Sequence, residues 1–355
     1  MEQRQDLKAT SRTKKFLWFI LVLAILCCGL IYYKSKTPAS KPPEVKSADI
    51  KAPKLELDVF AYDEKLKQIA NNPPTATTTS STLPMLWPVK TVYPNYGALL
   101  PFNRIVAYYG NLYSKGMGVL GEYPEDVMLD KLNVEVKKWQ TAEPSTPVIP
   151  ALHYIAVVAQ AGAGRDGKYI ARMPDKEIDK VLAMAQKING IVFLDVQLGG
   201  SNLQTELPLL EKYLKLPNVH LGIDPEFAMK NGQRPGTAIG TLDAGDVNFA
   251  ANYLSQIVKD NNLPPKILVI HRFTKPMLTN FGNINPLPEV QIVIDMDGFG
   301  GQGNKLNTYK QYISKEPVQF TGFKLFYKND SARGLLLSPE QLLKLTPIPL
   351  YIQYQ

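Results

Sequence analysis

Residues 221–229 read L-G-I-D-P-E-F-A-M, an apolar run that ends in two carboxylates, Asp224 and Glu226. Side chains alternate along a strand, so acids two residues apart leave it on the same face. Two other apolar runs finish alike: Ile191 to Leu194 leads into Asp195 and Gln197, and Gln291 to Ile294 leads into Asp295 and Asp297. A single D-x-E is as often a helix cap or a solvated turn. Three strand-like runs ending this way gather acids at one end of a sheet.

The same rhythm runs through the chain. Apolar, β-branched or aromatic stretches recur at Ile105–Tyr109, Val148–His153, Ile191–Val196, Val219–Ile223, Lys266–His271, Val290–Ile294, Gly322–Phe326 and Leu350–Gln353. Between them, Ile178, Val181, Leu182, Ala185 and Ile188 follow helical spacing, as do Val247, Ala250, Ala251, Leu254, Ile257 and Val258. Asp243 with Asp246, and Ser338 followed by Pro339 and Glu340, read as helix starts. Eight strands alternating with helices predict an α/β fold, a (β/α)8 TIM barrel. The rival, an open doubly wound sheet, lacks its G-x-G-x-x-G turn after the first strand. The last strand ends the sequence given. Val59–Ala70, or the segment Leu83–Leu100 with Trp87, is expected to cover the gap left by an eighth helix.

Ahead of the barrel, expected over 91–355, the chain changes character. Residues 1–15 form a basic tail, and Phe16 to Tyr33 is uncharged. Its 18 residues would span roughly 27 Å as a helix, about the hydrocarbon thickness. A single-pass transmembrane helix or signal anchor is expected there. Lysines on both sides only lean the topology toward a cytoplasmic N-terminus, with the barrel extracytoplasmic at the cell membrane. Residues 34–90 read as a Pro-, Thr- and Lys-rich linker with a short helix at Val59–Ala70. The net charge of +8 resides in the tail (+3) and in residues 34–54 (+4), leaving +1 for the rest. No nucleic-acid surface is expected. The two cysteines, Cys27 and Cys28, lie in the apolar run, so no thiolate chemistry is available to the barrel.

In a (β/α)8 barrel the site lies at the C-terminal strand ends. Reading those ends gives Tyr108 and Tyr109; His153; Asp195 and Gln197; Asp224 and Glu226; His271 and Arg272; Asp295 and Asp297; Lys324 and Tyr327; Tyr351 and Gln353. The acids suit glycoside hydrolysis. Glu226, with the longer reach, would be the proton donor and Asp224 the neighbour that raises its pKa. Asp195, Asp295 or Asp297 would supply the second carboxylate. The remaining groups would bind a polysaccharide or glycan, tyrosines as sugar platforms, Arg272 or Lys324 as substrate grip or as counter-charge to an acid. His220, at the opposite strand end, reads as structural. The loop Gly298–Gly303 lacks the P-loop Lys and Ser/Thr, and reads as a lid or tight turn. No H-x-H or H-E-x-x-H spacing is present, so no metal or other cofactor is expected. A divalent-metal-dependent hydrolase using the same acids with His153 and His271, and a catalytically inert glycan-binding barrel, are the alternatives.

The runs I-V-A-Y-Y-G (105–110), L-D-V-Q-L-G (194–199), L-G-I-D-P-E-F-A-M, I-D-M-D-G-F-G (294–300) and K-L-F-Y (324–327) resemble a group of exported, membrane- or lipid-anchored bacterial barrel proteins over about 104–355. That resemblance implies the fold and export. D-P-E at a fourth strand end is also similar to the D-x-E of lysozyme-type and chitinase-type glycosidase barrels. It implies the acid role for Glu226 and the supporting role for Asp224. The chain departs from those families at Tyr108-Tyr109-Gly110, where lysozyme-type barrels carry an aspartate, and in lacking the full D-x-x-D-x-D-x-E run of chitinases. It departs again at Lys324, where two-glutamate glycosidase barrels place their nucleophile.

Overall fold

Arg104–Gly110 (β1) is buried over its whole length, as a strand covered on both faces must be. Seven others follow it: Val148–Ala159 (β2), Ile191–Val196 (β3), Val219–Ile223 (β4), Lys266–Arg272 (β5), Val290–Met296 (β6), Phe320–Leu325 (β7) and Tyr351–Tyr354 (β8). In the computed structural model, which describes residues 56–73 and 85–355, each strand pairs in parallel with the next. β8 returns to β1 with Ile105 opposite Tyr351 and Ala107 opposite Gln353, so the sheet closes into the expected barrel. β2 runs six residues beyond its expected end because Ile170–Arg172 adds an antiparallel edge opposite Val157–Ala159.

Helices pack outside. Val59–Ala70 (α1) precedes the barrel, and Glu125–Ala142 (α2), Asp175–Lys187 (α3), Leu203–Leu214 (α4) and Ala244–Asn261 (α5) each join consecutive strands. Asp243 and Asp246 form a reciprocal cap on α5, as the spacing predicts. Between β5 and β6 there is no α-helix. Pro276, Pro286 and Pro288 interrupt that stretch, Asn280 adopts φ 55°, and only short 3-10 turns form. Gln302–Thr308 (α6) continues as a wider turn through Ser314 and returns the chain to β7.

The two ends of the barrel are finished differently. At the N-terminal end, Tyr62 and Ile69 of α1 join Leu100 and the inward residues Ile105, Ala151, Ile191, Ile267 and Phe320 in one apolar cluster. Asn71 after the helix donates to Leu345 O at 2.8 Å, and Ile348 N donates to Ile69 O at 2.8 Å. α1 thus plugs the barrel floor. Trp87 is buried as well, its indole donating to Ser314 O at 2.8 Å. The outer face of β8 is covered instead by α2, whose Trp139 donates to the Tyr354 hydroxyl at 3.0 Å, and the turn Pro339–Leu342 packs on α2. The N-terminal segments therefore close the base and do not replace an eighth helix.

The run Phe16–Tyr33 lies outside the described residues; among these, no helix is long and apolar enough to cross a membrane.

Candidate active site

Strand parity decides which side chains reach the barrel interior. Ile105 and Ala107 belong to the inner apolar cluster, so Tyr109, two residues on, points inward and Tyr108 outward. The same count brings His153, Asp195, His271, Asp295, Lys324, Tyr351 and Gln353 inside. Above them, at the C-terminal mouth, opens a cleft of about 530 Å³. Asp224, Glu226, Asp297, Gln197, Tyr109 and Lys324 line it.

Three expected ligand groups do not reach this cleft. Tyr108 turns into the layer between strands and helices, where its hydroxyl meets that of Tyr327 at 3.1 Å. The Tyr327 hydroxyl in turn donates to Glu135 at 3.0 Å. Arg272 is the neighbour of inward His271 and so faces out. It pairs with Glu316 and donates to the carbonyls of Thr274, Lys275, Leu278 and Tyr312, fastening the loop after β5.

Because β2 is longer than expected and β5 and β6 run past His271 and Asp295, the first polar groups of several strand ends lie below the mouth. His153, Asp195, His271, Asp295, Tyr351 and Gln353 are fully buried and do not line the cleft. Asp195 and Asp295 are thereby removed as groups that touch a ligand in the cleft.

These buried groups form one network. Asp195 Oδ2 accepts the Tyr109 hydroxyl at 2.8 Å, and its Oδ1 faces His153 Nε2 at 3.3 Å and His271 Nε2 at 3.5 Å. His271 Nδ1 lies 3.3 Å from both Asp295 Oδ2 and Asp297 Oδ2. Lys324 Nζ pairs with Asp297 Oδ1 at 2.9 Å and stands 3.9 Å over the Tyr109 ring. His153 Nδ1 meets the Tyr351 hydroxyl, which accepts from Gln353 at 2.7 Å. Two glycines give this layer its room. A Cβ at Gly222 would stand 2.3 Å from His153 Nε2 and 2.5 Å from Asp195 Oδ1, and one at Gly322 2.5 Å from Asp295 Oδ1.

Burial and charge divide the titratable groups. Desolvation holds the His153 imidazole down at about 4. Burial also opposes charge on His271, but Asp297 and Asp195 outweigh it and keep that ring protonated well above its ordinary range. Asp195 goes the other way: His271 and His153 overcome its burial and hold it ionised. Asp224 is raised well above the usual carboxylate range by burial, against the pull of His271 and with the push of Asp297 and Asp195. Glu226 is raised by burial and by Asp297. The neighbour that raises Glu226 is thus Asp297, whereas Asp224 holds its backbone: Asp224 Oδ1 accepts from Glu226 N at 3.0 Å, capping the turn Pro225–Phe227.

The cleft also contains groups that polarity alone did not mark. Phe227, Phe273, Phe299 and Phe326 form an apolar wall with Met117, and Asn329 and Gln355 add amides. Phe326 and Gln355 were within reach of strand parity, each two residues beyond an inward side chain, Lys324 and Gln353. Phe227, Phe273 and Phe299 lie on loops, where no period applies. The Gly298–Gly303 loop is a pinned turn: Gly300 N donates to Asp330 Oδ1 at 2.8 Å, and Lys305 Nζ holds Gly298 O at 2.6 Å. His220 is structural as expected, its Nδ1 accepting from Ile267 N at 3.0 Å beside the barrel floor.

Neither a scan of protein-family models nor a search of curated proteins returns a match to this chain.

Proposed function

We propose that this protein is a membrane-tethered, extracytoplasmic, glycoside-hydrolase-like barrel that acts on cell-envelope or environmental polysaccharide. The observation that carries the reading is the convergence of Asp224, Glu226 and Asp297 in one aromatic-walled cleft at the C-terminal barrel mouth. Phenylalanine faces suit the apolar faces of sugar rings, and the polar groups suit their hydroxyls. The D-x-E likeness to lysozyme- and chitinase-type barrels points the same way, and the apolar run Phe16–Tyr33 supports the tether.

Glu226 donates its proton to the departing glycosidic oxygen; burial keeps that proton in place above the usual carboxylate range. Asp297, fixed between Lys324 and His271, takes a proton from the attacking water. One water is added across the C–O bond, and the two sugar ends leave as hemiacetal and alcohol. Asp224 positions Glu226 through the turn it caps.

The test is a screen of the full chain against peptidoglycan and common polysaccharides beside Glu226→Gln. A hydrolase loses turnover by about 10²-fold or more in the variant and keeps binding. A second reading, a glycan binder without turnover, is favoured by the 2.9 Å Lys324–Asp297 pair, which already satisfies one carboxylate. It predicts binding by both forms and hydrolysis by neither.

A further inference from the structure

Under the cleft floor, three donor atoms from three strands are arranged in a way that the carboxylate chemistry above does not use. One ligand atom each from His153, Asp195 and His271 lies within 4.8 Å of the other two. Asp195 Oδ1 stands 3.3 Å from His153 Nε2 and 3.5 Å from His271 Nε2. Nitrogen and oxygen ligands held at about 2.0–2.1 Å around one tetrahedral ion stand roughly 3.3–3.5 Å apart, so this is the spacing of atoms that share a metal.

The burial of these atoms points the same way. His153 Nε2, Asp195 Oδ1 and His271 Nε2 are all fully buried and face only one another, the single Asp195 oxygen being shared between two imidazole nitrogens at long range. Buried polar atoms so loosely paired are under-satisfied, and an ion between them would satisfy all three at once. Their other atoms face further groups. His153 Nδ1 meets the Tyr351 hydroxyl, His271 Nδ1 faces Asp295 and Asp297, and Asp195 Oδ2 accepts from Tyr109. Outer partners of this kind orient imidazole and carboxylate ligands toward an ion. Glycine at 222 keeps the space open, since a Cβ there would lie within 2.5 Å of two of the three atoms.

We propose that His153, Asp195 and His271 bind one divalent transition-metal ion of the zinc type through Nε2, Oδ1 and Nε2. Two imidazoles and a carboxylate are the donor set of three-ligand zinc centres and leave a fourth position for water or substrate; binding displaces the Nε2 proton that the acids hold on His271 in the absence of the ion, while its Nδ1 keeps facing Asp295 and Asp297. The ion would also supply positive charge beneath Asp224, Asp295 and Asp297. This revises the expectation of no metal. Its ligands come from β2, β3 and β5, so no short spacing motif could announce them.

Metal occupancy is measured without substrate, so it stands or falls separately from the glycosidase reading. The full chain, stripped with chelator, is titrated with Zn2+ and with Co2+. One equivalent should bind, with the visible bands of a low-coordinate cobalt site. Affinity should fall at least tenfold in His153→Ala, His271→Ala and Asp195→Asn, and stay unchanged in His220→Ala, a buried histidine outside the cluster. X-ray absorption at the zinc edge of the wild-type protein should show a nitrogen–oxygen shell with two imidazoles, a result that needs no variant to fold. Absence of bound metal in the wild type, an all-oxygen shell, or equal occupancy in every folded variant would overturn the proposal.

Discussion

Glu226 and Asp297 differ from Asp195 and Asp295 in where they end, not in what they are. Both reach the cleft, while Asp195 and Asp295 stop one layer below it, so turnover should be far more sensitive to the former pair. Because burial and Asp297 raise Glu226, the proton donor should stay neutral and protonated to higher pH than a free glutamate. The alkaline limb of kcat against pH should accordingly lie above the ordinary carboxylate range and vanish in Glu226→Gln. At Gly222 and Gly322 the limit is space. Alanine at either should cost about 1–3 kcal/mol in denaturant unfolding, since its Cβ would press on Asp195 and His153 or on Asp295. A loss below about 0.5 kcal/mol would mean the buried network is looser than its distances indicate.

At the scale of the element, strand period carried the reading and strand length limited it. Eight apolar runs were legible because each is buried on both faces and bounded by polar or turn residues, and the D-x-polar endings marked the correct end of the barrel. Adjacent candidates could not both be right, though. Tyr108 with Tyr109, and His271 with Arg272, are consecutive, so pleating sends one member of each pair outward. Which one is settled by the inward Ile105, Ala107, Ile267 and Val269. Depth was not legible, because the antiparallel partner of β2 and the ends of β5 and β6 depend on pairing across strands. β5 also begins with a buried lysine. Lys266 Nζ donates to the carbonyls of Leu216 and Val219, and burial lowers it to about 7. Between that value and the ordinary lysine range the unfolded chain holds a proton that the folded chain has released. This group therefore makes stability rise with pH from about 7 to about 10, by at most about 1.4 kcal/mol per pH unit. Lys266→Met should remove that increment from the pH dependence of unfolding; an unchanged slope would show that Lys266 stays protonated.

For the whole molecule, the barrel is sealed at its N-terminal end by α1 and open at the other, so stability and chemistry are separated along one axis. Tyr62→Ala should cost about 3 kcal/mol by emptying the floor, and leave ligand binding at the opposite mouth unchanged. Charge follows the same division. The +8 net charge is concentrated before the barrel, which itself gathers acids at its mouth and offsets them with His271 and Lys324. The most direct measurement of the central claim is the release of new reducing ends from a bound polysaccharide by the full chain, with Glu226→Gln and Asp297→Asn alongside the wild type. The account predicts release by the wild type and its collapse in both variants with binding intact. Undiminished release by Glu226→Gln would contradict it.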